Sequence, residues 1–271
     1  MIRAGILQFT PAFLNREESI SRVERLLDGV ELPELLVLPE LADSGYAFPD
    51  RDCAWDIAMP VHWNPFLDYL HGLAEAQGTH IVSGVLEKAG NQLYNTSVLL
   101  GPAGIIGIYR KVHLFMGEKD IFSPGRASLK TWPTAIGRIG MQICFDWMFP
   151  EPWRILAMQD ADLIAHPSNL VLPFAQQVIP AYALVNRVFI LTANRTGSEN
   201  GVSFTGRSLI AGPDGRLLAQ ATEQADGMIQ ATLAPEEARN KMITFSNHAF
   251  RDRVPSLYGP LTEDTQRIEP F

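Results

Sequence analysis

Cys144 ends an apolar run and is the first candidate for chemistry in this sequence. The run Ile139–Cys144 is typical of a buried strand, and Asp146 follows two residues later. A thiol at the carboxyl end of a central strand would face the cleft where an α/β protein places a nucleophile. However, free cysteines are more often inert packing residues in protein interiors. Partner residues are therefore needed before Cys144 indicates catalysis.

Two charged residues follow predicted strands in a similar way. Glu40 comes directly after the apolar stretch Leu35–Pro39, and Lys111 comes just after the stretch Gly104–Tyr109. Taken singly, each is better read as an ordinary solvated loop residue. Because the carboxyl ends of strands meet at one edge of an open sheet, the three segments together predict an acid, an amine and a thiol in one cleft.

The three segments together resemble the nitrilase superfamily, the carbon–nitrogen hydrolases. The family pattern has an apolar strand ending in Pro-Glu, a Tyr-Arg-Lys-x-His-Leu segment, and a Gly-x-x-Ile-Cys-x-Asp segment followed by Pro-Glu. In this chain these segments are residues 35–40, 109–114 and 140–151, in the family's order. The resemblance extends from Ile6-Leu7-Gln8 to residues 251–258, so it covers nearly the whole chain.

The resemblance implies hydrolysis of a non-peptide carbon–nitrogen bond through a thioester on Cys144. Glu40 would take the thiol proton, return it to the departing amine and later activate the water that resolves the thioester. Lys111 and the main-chain N–H of Phe145 would stabilise the oxyanion of the tetrahedral intermediate. The resemblance thus implies a catalytic triad of Glu, Lys and Cys.

Four residues near these motifs are further candidates for the site. Glu118 resembles a second family glutamate that positions substrate or lysine; the alternative is a loop carboxylate paired with a nearby cation. Tyr46 either lines the pocket or caps its loop, and Trp147 either walls the cleft or fills core. Asn169, which follows the predicted strand Leu163–His166, is expected to hydrogen-bond near the substrate. We predict that Tyr46, Trp147 and Asn169 bind substrate.

Other polar residues near the motifs have expected structural roles or two open interpretations. Asp146 and Glu151 lie at a turn and a helix start, where carboxylates accept main-chain N–H bonds. His113 is expected to order the lysine loop, and Cys53 to take no part in chemistry. Arg195 either forms a buried ion pair or faces the pocket, and the sequence does not separate these alternatives.

The residues that follow the nucleophile bear on the substrate. True nitrilases typically have Cys-Trp-Glu at the nucleophile, whereas this chain has Cys-Phe-Asp at 144–146. This difference disfavours nitriles as substrates. Omega-amidases resemble Cys-Tyr-Asp-x-Arg-Phe, but Met148 stands at the arginine position, which weakens recognition of a second carboxylate. N-carbamoylputrescine amidases typically have the segment Cys-Trp-Asp-Gln-Trp-Phe-Pro-Glu. This chain shares the last three residues of that segment, at 149–151.

We therefore predict an amidase that converts a small carboxamide to a carboxylic acid and ammonia. An N-carbamoyl amine hydrolase and a nitrilase are the enzymatic alternatives. A scaffold or binding protein of the same fold is the non-enzymatic alternative. A buried cluster of charged residues disfavours the scaffold, since such a cluster is costly and a scaffold has no need of it.

The composition favours a globular protein with a small-molecule partner. The chain has 271 residues, 46% of them hydrophobic and 19% charged, and a net charge of −8 without a dense Lys/Arg cluster, which disfavours nucleic-acid binding. Apolar runs are only strand-sized, which predicts no membrane span. Two cysteines without regular spacing predict neither a disulfide framework nor a zinc site. We expect a cytoplasmic protein with no metal and no cofactor.

The elements that must position these residues alternate between strand and helix patterns. The strand patterns include Ala135–Cys144, and helical patterns occupy roughly residues 16–28, 64–76, 152–159 and 173–186. Gly-Pro turns at 101–104 and 212–215 predict two hairpins. These elements predict a mixed α/β layered fold. The resemblance sharpens it to a four-layer αββα sandwich in a single domain, 1–271, and implies a homodimer or higher homo-oligomer.

Overall fold

Strands in two large sheets and one short hairpin form the centre of the molecule in the computed structural model, which describes residues 1–263. The strands in this part of the chain are β1 Ile2–Gln8, β2 Leu35–Val37, β3 His80–Ala89, β4 Gln92–Gly101, β5 Gly104–Arg110, β6 Thr131–Thr134, β7 Gly137–Met141, β8 Leu163–Pro167, β9 Phe189–Ala193, β10 Ser198–Glu199, β11 Val202–Ser203, β12 Leu209–Ala211, β13 Leu217–Gln220 and β14 Gly227–Leu233. One six-stranded sheet has the order β14-β1-β2-β3-β4-β5 and the other β13-β12-β9-β8-β7-β6. The end of the expected domain, residues 264–271, lies outside the described residues.

Helices flank the sheets. The α-helices of the described chain are α1 Arg16–Leu27, α2 Arg51–Ile57, α3 Pro65–Gln77, α4 Glu118–Ile121, α5 Pro150–Met158, α6 Ala175–Asn186 and α7 Pro235–Arg239. Short 3-10 helices span Val61–Trp63, Cys144–Met148, Pro255–Leu257 and Gly259–Thr262. Within residues 1–263, none of these helices combines the length and the apolar character needed to cross a bilayer.

The two large sheets stack face to face, and helices cover their outer faces. Side chains of one sheet meet those of the other in a common core cluster, which includes Ala4, Val37, Val82, Ile139, Ala165 and Leu191. On the outer face of the first sheet, Leu7 and Leu36 pack with Val23 of α1 and Phe66 of α3. Successive residues of a strand point to opposite faces, so each central strand contributes to two layers. The predicted αββα sandwich is confirmed.

Both predicted Gly-Pro hairpins are confirmed, but the strand predicted at Ala135–Cys144 is shorter at both ends. Residues 101–104 join β4 to β5, and residues 212–215 join β12 to β13. In place of the long strand, the chain turns back before Gly137, whose φ of +125° suits glycine, and β7 ends at Met141. Cys144 instead begins a 3-10 helix with a φ of +42°.

Helix boundaries differ from the sequence patterns where local contacts decide them. The helix predicted from 152 begins at Pro150, and the one predicted from 173 begins at Ala175. The periodicity does not predict α2, α4 and α7, because four to seven residues are too few to show a helical repeat. A side-chain cap starts α2, since Asp50 accepts a hydrogen bond from the Cys53 main-chain N–H at 2.8 Å.

Candidate active site

Lys111 lies at the centre of a buried group of charged side chains. It follows β5, and its Nζ donates to Glu40 Oε1 and to Glu118 Oε1, each at 2.7 Å. The Lys111 and Glu40 side chains have no exposed area. Burial lowers the pKa of Lys111, but the negative charges of Glu118 and Glu40 outweigh burial and raise that pKa overall. Lys111 is therefore held as a protonated ammonium.

Glu40 follows β2 and keeps one carboxylate oxygen free of protein partners. Its Oε1 accepts from Lys111 and from Asn95 Nδ2, the latter at 2.6 Å, whereas Oε2 has no hydrogen-bond partner among residues 1–263. The neighbouring strand β3 approaches closely at Gly84, where a Cβ would lie 2.4 Å from Glu40 Cα. A free oxygen on a buried carboxylate can accept a proton, which is the property a general base requires.

Glu118 connects Lys111 to Tyr46. Besides Lys111, its carboxylate accepts the Tyr46 hydroxyl at 2.8 Å and the Phe115 main-chain N–H at 3.2 Å. Burial raises the pKa of Glu118, the Lys111 charge lowers it, and the net direction is upward. Glu118 is thus no loop carboxylate paired with a surface cation, and Tyr46 reaches the charged group through its hydroxyl.

Cys144 is a buried thiol, 4% exposed, in the same cluster. Burial raises the pKa of Cys144 well above its usual value; the Glu40 charge raises it further, whereas the Lys111 charge and a hydrogen bond from the Asn169 main chain lower it. Since Glu40, Lys111 and Glu118 all act on the thiol, the four groups share one site. The thiol is neutral at rest, and its ionisation needs a nearby proton acceptor.

Cys144 lines a narrow cleft. Its lining consists of Phe115, Cys144, Phe145, Trp147, Asn169, Leu170, Val171 and Leu172, and its volume is about 20 Å³. Such a volume holds about one water molecule. No charged side chain is among these lining residues. The predicted residues Trp147, Asn169 and Phe145 therefore line the same cleft as Cys144.

Asn169 contacts Glu40 as well as the Cys144 thiol. Its Nδ2 donates to the main-chain oxygen of Glu40 at 2.9 Å, while its Oδ1 has no partner among residues 1–263. The free Oδ1 is an acceptor that a substrate N–H could use. Binding of substrate by Asn169 remains a prediction.

Asp146 holds the turn that carries Cys144. Its Oδ2 accepts the Ile143 main-chain N–H at 2.9 Å and the Tyr109 hydroxyl at 2.6 Å. Its Oδ1 lies 2.7 Å from His113 Nδ1, and the His113 ring stacks on a phenylalanine. These contacts tie the cysteine turn to the strand that delivers Lys111. They match the structural roles expected for Asp146 and His113.

Arg195 forms a buried ion pair, which settles the alternative left open above. Its Nη1 lies 2.8 Å from Glu199 Oε2. Glu199 Oε1 in turn accepts the main-chain N–H groups of Tyr46 at 2.7 Å and Ala47 at 2.5 Å. The pair thus supports the loop that brings Tyr46 to Glu118. Cys53 lies partly buried in α2, outside this group.

Sequence reasoning missed two buried polar residues of the site, Asn95 and His166. Asn95 lies in β4 and donates to Glu40, and His166 lies in β8 with its Nε2 2.9 Å from the Cys144 main-chain oxygen. His166 follows the apolar residues of β8, whereas Asn95 stands next to Thr96 and Ser97 in β4. Because buried polar groups are almost always hydrogen-bonded, a polar residue inside such a strand is the signal that could have found them.

The sequence model of the family described as carbon-nitrogen hydrolase matches residues 3–241. The chain belongs to this family. A protein named nitrilase from Pyrococcus abyssi is 40% identical over 260 residues, which is 95% of this chain and 99% of that protein. An N-carbamoylputrescine amidase from Arabidopsis thaliana is 29% identical, over 84% of this chain and 83% of that protein. The predicted family is confirmed.

The fold also matches that of solved carbon–nitrogen hydrolases. The crystal structure of a carbon–nitrogen hydrolase from Helicobacter pylori G27 superimposes with a TM-score of 0.86 at 24% identity, over 97% of this chain and 98% of that chain. Membership establishes the reaction class of this chain as hydrolysis of a carbon–nitrogen bond.

Proposed function

We propose that this carbon–nitrogen hydrolase converts small carboxamides to carboxylic acids and ammonia. One observation carries the proposal: Lys111 Nζ lies 2.7 Å from both Glu40 and Glu118, in a buried group that also contains the Cys144 thiol. This group combines a nucleophile, a proton acceptor and a fixed positive charge, which amide hydrolysis requires.

In the first half of the reaction, Cys144 Sγ attacks the amide carbon as Glu40 takes the thiol proton. The carbonyl oxygen becomes an oxyanion, stabilised by Lys111 Nζ and the main-chain N–H of Phe145. The carbon–nitrogen bond then breaks, and the proton on Glu40 passes to the nitrogen, which leaves as ammonia. The acyl group remains on sulfur as a thioester.

In the second half, water attacks the thioester carbon and Glu40 takes a proton from that water. The same two donors stabilise the second oxyanion. The carbon–sulfur bond breaks, the carboxylic acid leaves, and the proton on Glu40 returns to the thiol. Lys111 stays protonated throughout, since its raised pKa keeps the charge where the oxyanion forms.

Two other substrate classes have support from relatives. The 40% identical protein from Pyrococcus abyssi is named a nitrilase, which favours nitriles. The N-carbamoylputrescine amidase at 29% identity favours carbamoyl amines. Against these, Phe145 and Asp146 depart from the Cys-Trp-Glu of nitrilases, and Phe145 also departs from the Cys-Trp-Asp of N-carbamoylputrescine amidases.

The test is ammonia release from three matched substrate sets: short aliphatic amides, the corresponding nitriles, and N-carbamoyl amines. We expect turnover of amides such as propionamide, with kcat/KM at least about tenfold above that for nitriles and carbamoyl amines. Cys144→Ala should fold like the parent and release no ammonia, whereas Cys53→Ser should retain full activity. Turnover of nitriles with none of amides would refute the proposed substrate class.

We also propose that the protein works in a reducing compartment such as the cytoplasm. Both cysteines are free, and the nucleophile must remain a thiol between turnovers. Ammonia-releasing activity in the cytoplasmic fraction of the cells that make the protein is the expected result. Activity found only in a secreted or other oxidising fraction would contradict this proposal.

A further inference from the structure

A buried histidine that the proposed mechanism does not use holds the main-chain carbonyl of Cys144. His166 lies in β8 with no exposed area. Its Nε2 is 2.9 Å from the Cys144 oxygen, and its Nδ1 is 3.0 Å from Thr192 Oγ1 in β9. The ring also packs edge-on against Trp153, with 5.2 Å between ring centroids. Three elements of the second sheet and its helix layer thus fix the ring in place.

The partners of His166 determine where its proton lies. A carbonyl oxygen can only accept, so Nε2 carries the hydrogen and donates to Cys144. Nδ1 is then the acceptor, and the Thr192 hydroxyl donates to it. Burial lowers the pKa of His166 to about 4, so the ring is neutral at pH 7. A neutral ring with fixed donor and acceptor sides suits a positioning role rather than proton transfer.

The hydrogen bond from His166 acts on a peptide group with two functional ends. The C=O of Cys144 and the N–H of Phe145 belong to the same planar trans peptide, so they point in opposite directions. Fixing the carbonyl direction therefore fixes the direction of the Phe145 N–H. This peptide needs support, because Cys144 adopts a φ of +42°, an uncommon value for a residue other than glycine.

We propose that His166 is a positioning residue that aims the Phe145 main-chain N–H at the oxyanion by holding the opposite end of the same peptide. Asp146 fixes the other side of the turn through the Ile143 N–H, so the two buried groups clamp the peptide between them. The inference rests on the proposed function in one respect, the use of the Phe145 N–H as an oxyanion donor.

Three substitutions of His166 test whether an N–H donor at the position of Nε2 is required, or whether a polar or a well-packed side chain is enough. His166→Gln keeps an N–H donor at about the reach of Nε2, His166→Asn keeps a polar amide too short to reach the carbonyl, and His166→Leu removes the donor. His80→Leu is the matched control, since His80 is also buried but lies in β3 of the other sheet. All variants carry Cys53→Ser, which leaves Cys144 as the single thiol.

Two measurements then separate oxyanion stabilisation from placement of the sulfur. Carbon-13-labelled acetaldehyde forms a hemithioacetal with a thiol, and the oxygen of that adduct occupies the oxyanion position. Iodoethane alkylates sulfur and has no carbonyl group, so its reaction uses no oxyanion donor. We expect His166→Leu and His166→Asn to weaken aldehyde binding about 100-fold, the usual effect of one lost oxyanion donor, with alkylation rates within about threefold of the parent. His166→Gln should recover at least about tenfold, and His80→Leu should match the parent.

Amide turnover provides the corresponding kinetic result. In an enzyme that hydrolyses propionamide, His166→Asn should lower kcat with KM within about threefold, since the lost interaction forms only in the transition state. A parallel fall in alkylation would overturn the proposal, because the sulfur itself would then be displaced. Unchanged aldehyde binding, His166→Gln no better than His166→Asn, or a parent that forms no aldehyde adduct would also overturn it. Adduct formation without ammonia release would contradict the proposed function alone.

Discussion

The buried charges of this site are neutralised by neighbouring buried side chains and not by solvent. Lys111 would be a costly buried ammonium if it stood alone, but Glu40 and Glu118 each lie 2.7 Å away. The same two carboxylates raise the pKa of the Cys144 thiol, although burial is the larger cause. The arrangement therefore keeps the amine charged and the thiol neutral, and the proton on sulfur leaves only when Glu40 takes it.

The lowered pKa of His166 predicts that the free energy of unfolding depends on pH. Its pKa is about 4 in the folded protein and about 6.5 in the unfolded chain, so the unfolded state binds more protons between these values. The stabilisation is therefore complete above pH 6.5 and is lost as pH falls toward 4. The shift corresponds to about 3 kcal/mol of unfolding free energy.

We expect His166→Gln to lose less unfolding free energy than the parent when pH falls from 7 to 4.5, by about 2–3 kcal/mol. Urea unfolding at both pH values measures this difference. The exposed His62→Gln serves as the control variant. An equal loss in the parent and in His166→Gln would show that the folded state binds the proton as readily as the unfolded chain.

At the scale of elements, β3 determines the position of Glu40 through main-chain contacts. The Gly84 N–H donates to the Pro39 oxygen at 3.0 Å, and the Gly84 oxygen accepts the Ala42 N–H at 2.9 Å. A Cβ on Gly84 would lie 2.4 Å from Glu40 Cα and 2.7 Å from the Leu41 nitrogen. Because both contacts are with main chain, no flexible side chain can make room.

Two Gly→Ala substitutions should therefore have opposite effects. Gly84→Ala should displace Glu40, lower kcat by at least about 100-fold and reduce the free energy of unfolding by about 1–3 kcal/mol. Gly72→Ala, in the exposed middle of α3 where no heavy atom lies within 4 Å, should leave kcat unchanged and add about 0.5–1 kcal/mol. Steady-state kinetics and urea unfolding measure both effects. Wild-type kcat in Gly84→Ala would contradict this account of β3.

On the scale of the whole molecule, apolar side chains on α5 and α6 form an exposed patch. Ile155 and Met158 of α5 and Val185 of α6 are 40%, 48% and 47% exposed and line the same groove. Contiguous exposed apolar surface commonly marks a protein interface. We propose that this patch pairs with its copy in a homodimer, the assembly that the family resemblance implies.

The double variant Met158→Glu, Val185→Glu should therefore sediment as a monomer at concentrations where the parent is a dimer. Two charges placed in an apolar interface are costly to bury, and like charges from the two copies would repel. Analytical ultracentrifugation measures the assembly. Trp63→Glu changes an exposed apolar residue elsewhere, 74% exposed, and should leave the parent's state unaltered. A parent that sediments as a monomer would exclude the proposed dimer. A double variant that remains a dimer would place the interface elsewhere.

The sequence by itself predicted a mixed α/β layered fold, and the family resemblance of its motifs supplied the four layers and the residues at the centre of the site. Hairpins and strands are visible in it because turn chemistry and two-residue periodicity are local properties. Glu40, Lys111 and Cys144 stand in short motifs whose residue types identify the chemistry. Boundaries were less predictable: the strand expected to end at Cys144 ends at Met141, because the Asp146 side chain draws the following main chain into a turn.

Only the tertiary structure decided which groups partner one another. Lys111 and Glu40 are 71 residues apart along the chain, and His166 reaches Cys144 across 22 residues. The pairing of Arg195 with Glu199, left open by the sequence, likewise depends on a loop packing against the Tyr46 segment. Burial makes each of these contacts obligatory, since a polar group without a partner is costly away from water. Which partner satisfies it depends on how the two sheets stack, and that is a property of the folded chain as a whole.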